Sequence, residues 1–424
     1  MKNKILSSKN FAKNLIKHPL FSGSLVMILG SNFTNFLAYI YHLVVGRILG
    51  PSAYGELTSV ITLLAMFSVT FSFLGMVIVK FVSSGEKEQL GSILSWFKRI
   101  SLIFGSLICV ILIFLSLPLA NFLHIGGNIT ILIGPILFIF FLGFVYKSFL
   151  QGVLRFGRVV MVGNFEFVIR FGIGLLLIFL GFSVFGAVVG ILGGSILSLL
   201  LSIYFLRDLK ITKNNYKFGA GLKVVKYSIP VLLASLASNS FFSSDVLLVK
   251  HYFNPHEAGI YASLSTLGKI IFYGAAPVSA VMFPMISRRQ AEGKGFKKIF
   301  YLSLLLTILI SLGVLFVYLI FPEIAVSVLF GSKYLEAAQY IFWYGLFMAV
   351  YALASLIISF HLSLGNTKIV FVFLFFALFQ VLGILIYHGS TFAVIKVSIV
   401  SVTLLLVSLL LFFRNEKNKA GSLS

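Results

Sequence analysis

The chain has 424 residues, with 33 lysines and arginines against 11 acids and a net charge of +22. Hydrophobic residues make up 59% and charged ones only 10%, against roughly 25% charged in a soluble domain. That composition excludes an ordinary soluble enzyme. It also argues against nucleic acid as the partner for the positive charge, because a basic binding face needs a water-soluble body to carry it.

Residues 1–21 set Lys2, Lys4, Lys9, Lys13 and Lys17 around Phe11, Leu15 and Ile16. This reads as a basic amphipathic segment on a membrane surface, or as a solvated basic leader. The apolar run from residue 22 outlasts a signal-peptide core and lacks a small-x-small cleavage site, so a retained anchor is expected. A bilayer core takes about 20 apolar residues per helix. Such runs are expected at 22–46, 56–81, 100–122, 129–151, 157–181, 183–206, 227–249, 258–286, 299–321, 338–363, 367–387 and 390–413. Short alternating strands of a barrel are absent from this pattern. The reading is an all-α integral membrane protein with about 12 transmembrane helices.

The cations sort by connection. The N-terminal segment, the even connections and the tail hold 27 of the 33, and the odd connections hold three, Arg47, Lys250 and Lys333. That bias places both termini in the cytoplasm of a multi-pass plasma-membrane protein. The longest polar stretch divides the chain into 22–206 and 227–413, six spans each, joined by a cytoplasmic linker over 207–226 and ended by a basic tail over 414–424.

Motifs for soluble chemistry are missing. Gly268-Lys269 and Gly293-Lys294 lack the upstream glycine and downstream hydroxyl of a phosphate-binding loop. There is no zinc-site or nucleophile-elbow spacing, and the single cysteine, Cys109, lies in an apolar run. No enzyme, metal or cofactor is expected.

The two halves begin alike. Gly30-Ser31-Asn32 and a turn with Arg47, Gly50-Pro51 and Gly55 are echoed by Ala237-Ser238-Asn239, Lys250, Asn254-Pro255 and Gly259, at offsets of 204 to 207 residues. Because six is even, the repeats are parallel, related by an axis along the membrane normal.

Here the sequence resembles the polysaccharide-biosynthesis flippases of the multidrug/oligosaccharidyl-lipid/polysaccharide exporter superfamily. The likeness rests on Arg47 to Gly55, on Ser244-Asp245 through Pro255 and Gly259-Ile260-Tyr261, on Met282 to Arg288, and on Phe321-Pro322-Glu323 through Leu329 to Tyr334. The resemblance implies two six-helix lobes around a central cavity and alternating access driven by an ion gradient. It implies as cargo a polyprenyl-diphosphate-linked oligosaccharide repeat unit. Membrane lipids, and a polysaccharide polymerase and glycosyltransferases, are the expected partners of a monomer. A drug exporter of the same fold and a non-transporting scaffold for glycan assembly are the alternatives.

Charges inside a bilayer are costly and usually face protein or water. Arg47, Arg170, Lys269 and Lys396 are candidates for a cationic cavity that binds the diphosphate. Each also has a structural reading as an ion-pair, snorkelling or headgroup residue. Asp245 and Glu166 are candidates for ion coupling, with Glu166–Arg170 pairing along one helix as the simpler expectation. Pro135, Pro230, Pro277 and Pro284 are candidate hinges. Gly186, Gly190 and Gly194 offer a smooth face for a neighbouring helix.

Overall fold

The computed structural model describes the backbone of residues 19–84, 88–208 and 221–421, and among these there is no strand. The basic segment up to residue 18 and the linker over 209–220 lie outside the described residues. A helix is the natural state of such apolar runs, because in hydrocarbon every backbone N–H and C=O must be paired within its own segment. Ten stretches among the described residues are long and apolar enough to cross a membrane, and the protein is an all-α, multi-pass membrane protein.

Helix α1 runs over Pro19–Ser84 and is broken at Gly50, whose φ of 75° and ψ of 174° are not helical. Glycine takes this conformation at no steric cost, and Pro51 restarts the helix at the position where a missing N–H removes no bond. Next come α2 (Leu90–Phe114), α3 (Ser116–Leu123), α4 (Gly127–Thr130) and α5 (Ile133–Gly152). The longest apolar stretch, Phe156–Arg207, holds two helices, α6 (Phe156–Leu177) and α7 (Ser183–Arg207), joined by a π turn. The second half contains α8 (Gly221–Tyr252), α9 (Pro255–Ala291), α10 (Lys297–Ile320), the short α11 (Pro322–Phe330), a 3-10 turn over Ser332–Ala337, α12 (Ala338–Ser363), α13 (Ile369–Ile386) and α14 (Thr391–Gly421). Part of the expected linker and most of the expected tail are thus helical, because α8 begins at residue 221 and α14 continues to 421.

The chain forms two compact units. The first comprises the described residues up to His42, with Thr70–Asn121 and Ile125–Ser228. In it α7 packs on α6 and α5, and α2 packs on α5. The glycine stripe makes the α6–α7 approach possible. A Cβ on Gly190 would lie 2.6 Å from the Arg170 carbonyl oxygen, and one on Gly194 would lie 2.6 Å from that of Glu166.

The second unit comprises Leu43–Val69, Phe122–His124 and Ile229–Ser424. Its core is α12, packed against α9, α10 and α14 and burying Tyr344, Phe347, Met348, Tyr351 and Leu356 completely. The division at 207–226 assigns 43–69 to the first half, whereas its contacts assign it to the second unit. The Tyr334 hydroxyl donates to the Gly46 carbonyl (2.7 Å), and Tyr54 and Thr266 share a hydrogen bond (2.9 Å). The glycines related by the sequence repeat meet here. A Cβ on Gly55 would stand 2.8 Å from the Gly259 nitrogen, and one on Gly259 would collide with the Pro51 carbonyl.

Pro277 and Pro284 lie inside α9 and Pro230 inside α8. Pro135 is the third residue of α5, where a helix has no intrahelical N–H bond to lose.

Candidate functional site

In the first unit the in-span charges gather on α6. Arg170 lays its guanidinium over the Tyr41 ring, 4.9 Å from its centroid, and over Phe167 at 5.5 Å. Its buried Nε has no hydrogen-bond partner. Glu166 does not pair along its own helix. It reaches across to Lys147 on α5, at 3.8 Å, because α5 brings an ammonium to the carboxylate while the aromatic rings hold Arg170. Two residues before Glu166, the side-chain oxygen of Asn164 accepts a hydrogen bond from Thr34 on α1.

In the second unit Asp245 is completely buried on α8. Its Oδ2 accepts hydrogen bonds from the hydroxyls of Tyr261 and Tyr344, both at 2.8 Å, and its Oδ1 accepts one from the Val246 N–H at 2.9 Å. Burying a carboxylate without such donors is expensive, and three donors hold this one in place. Lys269 on α9 is within electrostatic range of Asp245 but makes no ion-pair contact, and its Nζ lies 5.6 Å from the centroid of Phe242. Lys396 on α14 is exposed, with its Nζ 4.6 Å from the Phe392 centroid. Arg47 serves the backbone: its guanidinium donates to the carbonyls of Val328 and Leu329 at the end of α11, where unpaired carbonyls and the helix dipole favour a cation.

The structure therefore holds Asp245 between two tyrosines, sets Arg170, Lys269 and Lys396 on aromatic faces, and places Arg47 at a helix end. None of these four cations has a carboxylate within ion-pair distance among the described residues. Sequence reasoning missed two groups. Lys250 reads as a loop residue because the apolar run ends there, yet α8 continues to Tyr252 and the side chain is 1% exposed, with Nζ lacking a hydrogen bond. The carboxylate whose field reaches it is Glu56, one residue past the Gly55 contact. The signal was the repeat itself, which sets both residues beside the paired turns.

Outside the spans, Glu292 accepts from Lys294 (2.8 Å) and Arg288 (2.9 Å), and these bonds hold its carboxyl below the usual carboxylate range. Among the described residues there is no cluster of metal-ligating side chains.

The sequence profile of the family described as polysaccharide biosynthesis protein matches residues 44–339. A membrane protein of Methanocaldococcus jannaschii is 23% identical over 84% of this chain and 88% of its own length. A Shigella flexneri protein named "Putative O-antigen transporter" is 23% identical over 68% of this chain and 71% of its own. Among solved structures the fold is similar to the lipid II flippase MurJ in an inward closed conformation, with a TM-score of 0.72, 15% identity, and 92% of this chain and 87% of that one covered. It is likewise similar to an inward-facing multidrug resistance transporter of the MATE family and MOP superfamily, with a TM-score of 0.71, 15% identity, and 89% and 95% covered.

Proposed function

Since the chain belongs to the polysaccharide biosynthesis protein family of membrane transporters, we propose that it flips polyprenyl-diphosphate-linked oligosaccharide repeat units across the plasma membrane. The observation that carries this reading is the state of the in-span cations. Arg170, Lys269 and Lys396 rest on aromatic rings, and none makes an ion pair among the described residues. Cation–π contacts orient a cation and leave its charge available. A diphosphate crossing hydrocarbon needs positive partners that are not tied up in an ion-pair contact, with arginine giving a two-point contact and lysine a point charge. A cationic drug would be repelled by Arg170 and Lys396, and a passive scaffold gains nothing from charges that are costly to insert.

In this reading the twelve expected spans form two six-helix lobes, with both termini in the cytoplasm. Helix α1 counts as two spans at its Gly50 break, and Phe156–Arg207 counts as two at its π turn. The lobes alternate access to the two leaflets. Asp245, with Glu166 as the second candidate, carries the coupling ion, and Pro230, Pro277 and Pro284 give the bends. Membrane lipids surround a monomer that hands its cargo to a polymerase and receives it from glycosyltransferases. Arg170→Gln, Lys269→Gln and Lys396→Gln test the cation role. Each is expected to abolish surface glycan while membrane protein stays at the parent level. Full export by all three variants would refute the role.

A further inference from the structure

Among the described residues, the odd connections of the sequence hold only three cations, Arg47, Lys250 and Lys333. Lys250 is buried, and the other two gather at one corner of the second unit. The Arg47 side chain lies against Gly331, where a Cβ would sit 3.8 Å from its Cγ, and the Lys333 stem lies against Gly50, at 4.0 Å from the equivalent point. The φ of 92° at Gly331 turns the chain from α11 into the turn that carries Lys333. This corner adjoins an apolar groove of about 570 Å³ between α9, α10 and α11. Ile270, Gly313, Val317, Phe321, Ile324 and Val328 line it, and its wall includes Val328 and Leu329, whose carbonyls receive the Arg47 guanidinium.

We infer that this groove holds the hydrocarbon chain of a polyprenyl diphosphate, with its phosphates at Arg47 and Lys333. The inference rests on the cargo and topology proposed above, and it assigns the carrier lipid a seat on the outer side. Charge complementarity argues for this occupant. An outer loop rarely carries cations, so two of them at the mouth of a single apolar groove call for an anionic partner. Arg47 spends only part of its five-donor guanidinium on the two carbonyls, leaving donors for a phosphate. Lys333 is exposed and pairs with no described carboxylate. Neither nearby acid makes an ion pair with these two cations: Glu336 is hydrogen-bonded to His256 at 3.1 Å, and Glu323 stands at the opposite end of α11. One groove suits a lipid with one long chain, and a diphosphate matches two cations better than a phosphodiester does.

The glycine in the groove supplies a clean test. A Cβ on Gly313 meets nothing within 4 Å and the residue lines the groove, so Gly313→Phe adds a ring there with no clash at its Cβ, and Lys333→Gln removes one charge from an exposed site. The purified full chain in detergent is incubated with polyprenyl diphosphate or with phosphatidylglycerol, and bound lipid is counted by native mass spectrometry. The parent is expected to retain polyprenyl diphosphate in preference to phosphatidylglycerol. Each variant is expected to retain about tenfold less, equivalent to ~1.4 kcal/mol of weaker binding. Parent-level retention by both variants overturns the site, and equal retention of the two lipids overturns the assignment to a diphosphate carrier. Neither outcome touches the transport reading, which is scored separately by glycan export in cells.

Discussion

Asp245 is the residue on which the second unit's polar interior turns. Two phenols and a backbone N–H converge on its carboxylate, so Asp245→Ala strands two buried hydroxyls. Each unsatisfied group costs about 1–3 kcal/mol, and the variant is expected to melt well below the parent in detergent. Asp245→Asn keeps the volume and one acceptor oxygen. It is expected to remain folded yet export glycan at a rate that no longer responds to collapse of the ion gradient. A normal gradient response in that variant would remove Asp245 from coupling. The Glu56–Lys250 couple gives a prediction about stability. Glu56 is half-buried and makes no ion-pair contact with Lys250, but removing the carboxylate whose field reaches a buried ammonium leaves that ammonium less compensated, whereas replacing a buried charge by an apolar side chain is often neutral. Glu56→Gln strands an ammonium that is 1% exposed, and Lys250→Met removes it. Thermal unfolding is therefore expected to show the larger loss in Glu56→Gln. The reverse order would mean that the two charges do not balance one another.

At the scale of elements, close approaches through glycine decide the packing. The α6–α7 contact depends on Gly190 and Gly194, and the contact of 43–69 with α9 depends on Gly55 and Gly259. Overpacking a tight contact typically costs about 1–3 kcal/mol, and a carbonyl in the way makes the cost larger. Gly259→Val and Gly190→Leu are expected to give protein that aggregates on size-exclusion chromatography, with Gly313→Leu, which meets open space, as the well-behaved comparison. A monodisperse Gly259→Val protein would contradict the contact. The spans were legible in the sequence because hydropathy sums over some 20 residues and survives local error. The Gly55–Gly259 pairing was legible only as a repeat, since an offset of 204 residues does not say that the two copies touch. Glu166 illustrates what stays hidden. Spacing along α6 offered Arg170, but a lysine from α5, which no local pattern announces, takes the carboxylate. Lys250 was misplaced for a related reason. An apolar run ends where hydropathy falls, while a helix ends where its hydrogen bonds do.

For the whole molecule, the +22 charge has two meanings. Most of it lies in the basic connections, where it is expected to set the orientation. The remainder is a small set of cations within the spans or on the sparsely charged side, and these carry the proposed chemistry. Family membership supports transport in polysaccharide biosynthesis, and the two similar solved folds, about 15% identical, support the architecture alone. The central claim is that a lipid-linked glycan crosses the membrane through this chain. The direct measurement is the sidedness of that intermediate in cells lacking the gene, read by access of an impermeant glycan-cleaving enzyme to right-side-out and inverted membrane vesicles. The account predicts that the intermediate accumulates facing the cytoplasm, that the parent gene restores its appearance outside, and that the Arg170→Gln, Lys269→Gln, Lys396→Gln triple variant does not. Normal delivery of the intermediate to the outer face in cells lacking the gene would contradict it.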